Sequence, residues 1–227
     1  AGIAGLVCAY ALGPRKGYGR EAFEPYNLAF TMMGAGLLWV GWFGFNAGSA
    51  VAADGRAGLA MLVTHIAAAA GAMSWMLGEW IVRRSPSLLG LCSGLVAGLV
   101  AITPAAGFVT PLAALAIGAI AGLACYWGAT GLKHMLGADD SLDVFGVHGI
   151  GGIVGALLTG VFADARISGA TGDVLTQAIA VGSVAIYSAT GTAVVLFLVH
   201  VLVGLRVEAD SEVLGLDLAQ HKEQLGS

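Results

Sequence analysis

The sequence predicts an all-α integral membrane protein, a polytopic bundle of transmembrane helices. Hydrophobic residues make up 58% of its 227 residues and charged residues only 11%, whereas soluble domains carry about 25% charged residues. The mean hydropathy is +0.86, and no Lys, Arg, Asp or Glu lies between Arg84 and Lys133. Because a membrane-spanning helix needs roughly 20 mainly apolar residues, that charge-free stretch indicates two spans joined by a turn.

The same criterion divides the chain into six predicted spans separated by short polar loops. They lie near residues 27–52, 57–82, 86–103, 112–132, 143–163 and 174–203. Residues 1–13 are apolar but too short to cross, and they lack an initial Met and a basic leader. We expect them to be the last half of a further transmembrane helix in a longer chain. The predicted organisation is a transmembrane domain over 1–205 and a tail over 206–227.

The distribution of basic residues predicts the orientation of these spans. If the spans alternate, one side carries the loops with Arg15, Lys16, Arg20, Arg83, Arg84, Lys133 and Arg206, and the other carries only Arg56 and Arg166. Loops rich in Lys and Arg remain in the cytoplasm. The tail after Arg206 is therefore expected to be cytoplasmic.

Several functional classes fit this sequence poorly. No basic patch suggests a nucleic-acid partner. The isolated residues Cys8, Cys92 and Cys125 lie in or near apolar spans, which is typical of small packing residues and not of a disulfide or zinc site. A His-Glu-x-x-His motif is absent, and Ser93 lacks the leading glycine of an intramembrane serine protease motif. The sequence therefore predicts no enzyme, no cofactor and no metal.

The fifth span contains an ionisable side chain, His148, in the segment DVFGVHGIGG that begins at Asp143. Ionisable groups inside a membrane are costly and tend to face a bundle interior or a pathway. A structural histidine bonded to a neighbouring carbonyl is the alternative. His65 and His200 are expected to be structural, because they lie near span ends where the ring can reach the interface.

The first span contains an aromatic and polar face. Trp42, Phe45 and Ser49 are spaced i, i+3 and i+7, so they share one side of a helix, with Asn46 beside them. Aromatic faces attract cations by roughly 0.5–2 kcal/mol, depending on desolvation. Ordinary aromatic packing is the alternative. The 36 glycines recur at small-residue spacings that allow membrane helices to pack closely.

Two of these segments resemble the ammonium transporter (Amt/Mep) family. GWFGFNAGSA, from Gly41, and DVFGVHGIGGIVGALLTG, from Asp143, are similar to its sixth and tenth transmembrane helices, and PRKGYG, from Pro14, is similar to a preceding cytoplasmic loop. The resemblance extends over all 227 residues, from the end of the fifth helix through the eleventh and into the tail. It implies the second part of an 11-helix fold with inverted repeats.

The resemblance also implies roles for individual residues. In that family the matching positions line a pore, close its outer entrance or recruit ammonium. The implied pore-lining residues are His148, Trp42, Phe45 and Val144. Of these, His148 is the second of twin pore histidines and Phe45 contributes to a phenylalanine gate. The implied vestibule residue is Ser49, and Asp143 and Asn46 are implied supporting residues.

The expected function is ammonium and ammonia transport, as a channel for nitrogen uptake in the lipid of a plasma (inner) membrane. The pore would recruit the cation at an aromatic vestibule and conduct it after deprotonation. The resemblance implies a homotrimer and a PII-type regulatory protein at the tail, although Lys222 stands where the family commonly has glycine. An ammonium sensor of the same fold is the alternative, and the tail is expected to be too short for a sensor's signalling domain.

Overall fold

A computed structural model describes residues 1–223 and is all-helical over that range. Its α-helices are given below in chain order, and the prediction of an all-α bundle is confirmed. They are α1 (Gly2–Leu12), α2 (Leu28–Gly48), α3 (Gly55–Arg83), α4 (Leu88–Ile102), α5 (Pro111–Trp127), α6 (Lys133–Leu136), α7 (Ile150–Phe162), α8 (Ala165–Ser168), α9 (Val174–Val203) and α10 (Ala209–Leu214).

Three π turns interrupt or follow these helices. The first π turn (Gly128–Leu132) joins α5 to α6, so that Pro111–Leu136 forms one continuous helix. The second π turn (Phe145–Gly149) leads into α7, and the third (Asp217–His221) lies in the tail. Single π turns inside α-helices are rare, but those that occur often lie at functional sites.

Each of the six predicted spans contains a helix. By length and composition, α2, α3, α9 and the continuous helices Pro111–Leu136 and Phe145–Phe162 could cross a membrane. The helix in the third range, α4, has only 15 residues, or about 22 Å at 1.5 Å per residue. That each of the six crosses the membrane stays a prediction.

Local signals in the sequence set where these helices begin. Side-chain oxygens of Asn27, Asp54, Ser87 and Asp173 accept backbone N–H bonds at the starts of α2, α3, α4 and α9, which satisfies donors that have no partner within a helix. Pro111 occupies the first turn of α5, where its fixed φ suits a helix and its missing N–H is not needed.

The core lies where α3, α4 and α5 cross. Its fully buried side chains include Val63 and Ala67 of α3, Ile102 of α4 and Ile117 of α5. Glycines allow these crossings: a Cβ on Gly98 would lie 2.8 Å from the Ala67 carbonyl carbon, so the backbones touch. Small residues permit such approaches in membrane helices. The α3–α5 block is thus the rigid frame that supports the other elements.

Candidate functional site

His148 lies within the second π turn, immediately before α7, and its side chain is half-buried. Asp140 holds the start of this turn: its buried carboxylate accepts the Val144 N–H at 3.0 Å and the Phe145 N–H at 2.7 Å. Within residues 1–223, the imidazole ring of His148 makes no hydrogen bond.

Val144 and Asp143 lie in the turn before His148 and contact different helices. A Cβ placed on Gly5 would lie 2.8 Å from Val144 Cγ1, so the valine faces α1. The carboxylate of Asp143 accepts a bond from Lys133 Nζ at 2.7 Å. Asp143 also has φ +53°, a left-handed conformation that Asp tolerates better than most residues. The ion pair connects α6 to the residue that precedes the His148 turn.

The aromatic face of α2 is partly assembled. The Trp42 indole N–H donates to the Thr103 hydroxyl at 2.8 Å, and the Trp42 and Phe45 rings meet edge to face with centroids 6.0 Å apart. Phe45 remains 62% exposed. Both rings lie on an open apolar face of α2 together with Gly34, Leu37, Leu38 and Gly41. This arrangement leaves aromatic surface available to a ligand or a further helix.

The two polar residues of this segment have different environments. Ser49 Oγ donates to the Phe45 carbonyl at 2.7 Å at the exposed end of α2. Asn46 is buried, and its amide donates to the Thr64 hydroxyl at 2.9 Å, so it fastens α2 to α3. Asn46 thus supports the aromatic face from behind, while Ser49 lies at its end.

The structure therefore forms two groups of predicted residues. Trp42 and Phe45 are in contact on α2, and Val144 and His148 lie on one helical turn. Helix α4 connects them, because it packs against α2 and against the second π turn, and Thr103 follows its last residue.

Two residues of this region were missed by the sequence analysis. Asp140 and Thr103 hold the His148 turn and Trp42 by hydrogen bonds. Asp140 could have been found from its position just before an apolar helix, where Asp commonly accepts backbone N–H bonds. Thr103 carries no such signal, because its bond joins residues 61 positions apart.

His65 belongs to an aromatic cluster between α2 and α3. It lies ten residues after Gly55 in α3, about 15 Å along the helix. Its ring stacks on Trp39 with centroids 5.0 Å apart, and the Phe43 ring centroid lies 6.0 Å away. These contacts fit the predicted structural role, and its place near the membrane interface stays a prediction.

The tail and the loop after α1 form a polar network at one end of the bundle. Arg206 donates to the carbonyls of Leu12 and Pro14 and pairs with Glu212 at 2.7 Å. In the same loop, the Arg15 guanidinium bonds to Asp139 and lowers the pKa of that carboxyl. The predicted tail 206–227 is described as far as residue 223; residues 224–227 lie outside the described range.

Residues 1–223 contain no group of three or more His, Cys, Asp or Glu side chains that could hold a metal ion. Cys92 and Cys125 are buried and unpaired in this range, and Cys8 is half-buried. Cys125 donates weakly to the Val147 carbonyl at 3.5 Å, which fits the predicted packing role.

Comparison with known proteins shows which family the chain matches. Residues 1–225 match the model of the Ammonium Transporter Family. The chain is 46% identical to an ammonium transporter of Bacillus subtilis, covering 98% of the chain and 57% of that protein. It is 48% identical to one from Aquifex aeolicus, with 99% and 54% covered. The chain thus spans about half the length of the curated relatives it matches.

Solved structures agree with this result. The crystal structure of Candida albicans Mep2 matches with a TM-score of 0.85 and 35% identity, covering 96% of this chain and 52% of that chain. A structure described as Sensor Amt Protein matches with a TM-score of 0.87 and 29% identity, covering 96% and 56%. The backbone described above is therefore similar to a known polytopic fold.

Proposed function

Since the chain belongs to the ammonium transporter family, we propose that it forms part of a pathway for ammonium and ammonia across a membrane. The observation that carries this proposal is His148, an imidazole at the start of an apolar helix whose ring makes no hydrogen bond within residues 1–223. An intramembrane ionisable group without a structural partner is expected to serve a passenger. The family is one of transporters rather than enzymes.

The chemistry of ammonium explains why such a pathway needs both groups of residues. A small cation cannot enter a low-dielectric interior without a large desolvation cost, whereas a neutral amine avoids most of that cost. Trp42 and Phe45 would attract the cation through their ring faces before it loses a proton, with Ser49 at the entrance. His148 would then bond the neutral molecule, because a neutral imidazole donates from one nitrogen and accepts at the other. Val144 would line the same passage.

The assembly and location belong to the same proposal. We infer a homotrimer in a plasma membrane with the tail in the cytoplasm, where a PII-type protein would contact it. The basic loops near Arg15, Arg83 and Lys133 support this orientation. The network of Arg206 and Glu212 supports a tail that rests against the bundle at that side.

An ammonium sensor is the second candidate. It is favoured by the similarity to the structure described as Sensor Amt Protein. A sensor would need the recruitment face of Trp42 and Phe45 but would not need flux past His148. Flux measurements on the complete gene product separate the two candidates.

The test replaces His148 by Ala in the complete gene product and measures uptake of labelled methylammonium. We expect uptake per folded molecule to fall about tenfold or more, since losing a bond that stabilises the neutral passenger is worth roughly 1–1.5 kcal/mol or more. His200→Ala is the matched control, because His200 is an exposed histidine of another long apolar helix. If His148→Ala leaves both the uptake and the selectivity over potassium unchanged, His148 has only a structural role.

A further inference from the structure

The two π turns within the membrane helices lie against each other. A Cβ placed on Gly128, in the first π turn, would lie 2.9 Å from the Gly146 carbonyl oxygen in the second. In the reverse direction, a Cβ on Gly146 would lie 2.7 Å from the Ala129 nitrogen and 2.8 Å from its Cα. The neighbours are backbone atoms, which cannot rotate away as a side chain could. The two turns are therefore in direct main-chain contact.

The opposite side of the second π turn is closed by α1. A Cβ on Gly2 would lie 2.9 Å from the His148 carbonyl carbon, and Gly149 is nearer still. Val147, between these two contacts, is buried in a cluster with Trp75, Ala97 and Ala129. The main chain on both sides of His148 is thus clamped, while the imidazole itself is only half-buried.

The π turn decides how His148 is directed relative to α7. The Ile150 N–H donates to the Phe145 carbonyl, five residues earlier, so the turn holds one residue more than an α-helical turn. One residue corresponds to about 100° of rotation in an α-helix. The orientation of α7 itself is set by another contact, because Gly155 of α7 packs against the Ala101 backbone. If the turn relaxed to α-helical spacing, either α7 or His148 would have to rotate.

We propose that the two facing π turns form a positioning device for His148, in which Gly128 and Gly146 are positioning residues that set the direction of the imidazole through backbone contact. The functional part of this inference rests on the proposed ammonium pathway. The geometric part does not, because it concerns only where the side chain at position 148 lies. Neither glycine is placed at the passage itself.

The first experiment measures geometry without transport. His148→Cys is introduced into the complete gene product with Cys8, Cys92 and Cys125 changed to Ala, and the rate of thiol modification by a small methanethiosulfonate is recorded. Adding Gly146→Ala should change that rate by about tenfold, because displacing a positioned group by about 1 Å has effects of up to about 10²-fold. Ala129→Gly, which adds no atoms beside Gly146, should change the rate to a smaller degree.

A matched control lies on the same helix. Gly152→Ala adds a methyl where no described atom lies within 4 Å. It should leave the modification rate of folded protein within about twofold, the usual spread of small context effects. If Gly146→Ala gives the same rate as this control, the positioning role is wrong. Gly128→Ala and Ala129→Gly decide the question if Gly146→Ala does not fold.

The second experiment keeps His148 and measures the ratio of methylammonium to ammonium flux per folded molecule. Gly146→Ala should change this ratio, whereas Gly152→Ala, which adds a methyl in open space, should leave it unchanged. If the unmodified protein conducts nothing while the thiol rates differ as expected, the proposed pathway fails and the positioning role stands. If it conducts but both ratio and thiol rate are unchanged in Gly146→Ala, the positioning role fails and the pathway stands.

Discussion

Helices α3 and α9 have nearly the same length, 29 and 30 residues, and both are strongly apolar, yet their surroundings differ. Half of the residues in the most apolar stretch of α3 are buried, whereas none of the residues of α9, all within the described range, is buried. Helix α3 contains buried Thr64, Ser74 and Glu79, and α9 presents valine, leucine and phenylalanine. Within the described residues, α3 therefore lies inside the bundle and α9 lies on its outside.

The glycines show the same contrast. Gly98 and Gly118 each approach the backbone at Ala67, while Gly182 and Gly191 of α9 have no described atom within 4 Å of an added Cβ. The glycines of α2, including Gly34 and Gly41, are equally open. Helix α2, which carries Trp42 and Phe45, therefore resembles α9 on its open side and α3 only where Asn46 reaches Thr64.

The largest effect should come from filling a crowded glycine. Gly98→Leu would force α3 and α4 apart, since even a Cβ would lie 2.8 Å from the Ala67 carbonyl carbon. Overpacking of this kind costs about 1–3 kcal/mol or more. We expect most folded protein to be lost, as measured by detergent size-exclusion chromatography.

Gly182→Leu is the matched control for this variant, because the same side chain enters an exposed helix position. It should leave the yield and the unfolding temperature unchanged. Equal losses in both variants would show that α9 is covered as closely as α3, which would break the contrast between the two helices.

A smaller effect should come from the polar contact between α2 and α3. Thr64→Val keeps the shape of the side chain but removes the hydroxyl that accepts the Asn46 amide at 2.9 Å. A buried donor left without an acceptor costs about 1–3 kcal/mol. The unfolding temperature in detergent should fall, whereas Thr190→Val, at an exposed position of α9, should leave it unchanged.

If Thr64→Val is as stable as the unchanged protein, Asn46 finds another acceptor and α2 is held by its apolar contacts alone. In that case α2 would be similar to α9, because its position would not depend on a buried hydrogen bond to α3.

The helices could be predicted from the sequence because their signals are local. The charge-free stretch after Arg84, the Ser87 cap and the Thr110-Pro111 pair lie at or beside the helix ends that they indicate. The pairing of Trp42 with Phe45 was also local, since i and i+3 residues neighbour each other on any helix.

The parts that could not be predicted depend on contacts between distant residues. Gly98 and Gly182 look alike in the sequence, and only the packing of α4 on α3 makes one crowded. The π turns arise where Gly128 meets Gly146, and no spacing within either segment indicates the extra residue.

The smallest effect is expected in the loops, where two ion pairs differ in how exposed their side chains are. The Asp139 side chain is 1% exposed and its Arg15 partner 42%, whereas Arg166 in the Asp164 pair is 87% exposed. Exposed pairs contribute about 0–1 kcal/mol. Arg15→Gln should therefore cost more than Arg166→Gln, although about 1 kcal/mol at most at neutral pH because Arg15 is itself partly exposed.

The pH dependence identifies the source of that difference. Bonds from Arg15 lower the pKa of Asp139 in the folded protein, so its contribution to stability is fully present above the unfolded value of about 3.9 and is lost as pH falls through the folded value. The unfolding temperatures of the unchanged protein and of Arg15→Gln should therefore differ at pH 7 and at pH 5 and converge below about pH 4. A difference that stays constant down to pH 3 would mean that Arg15 acts through its stacking on Phe23, 4.3 Å from the ring centroid, and not through the carboxylate.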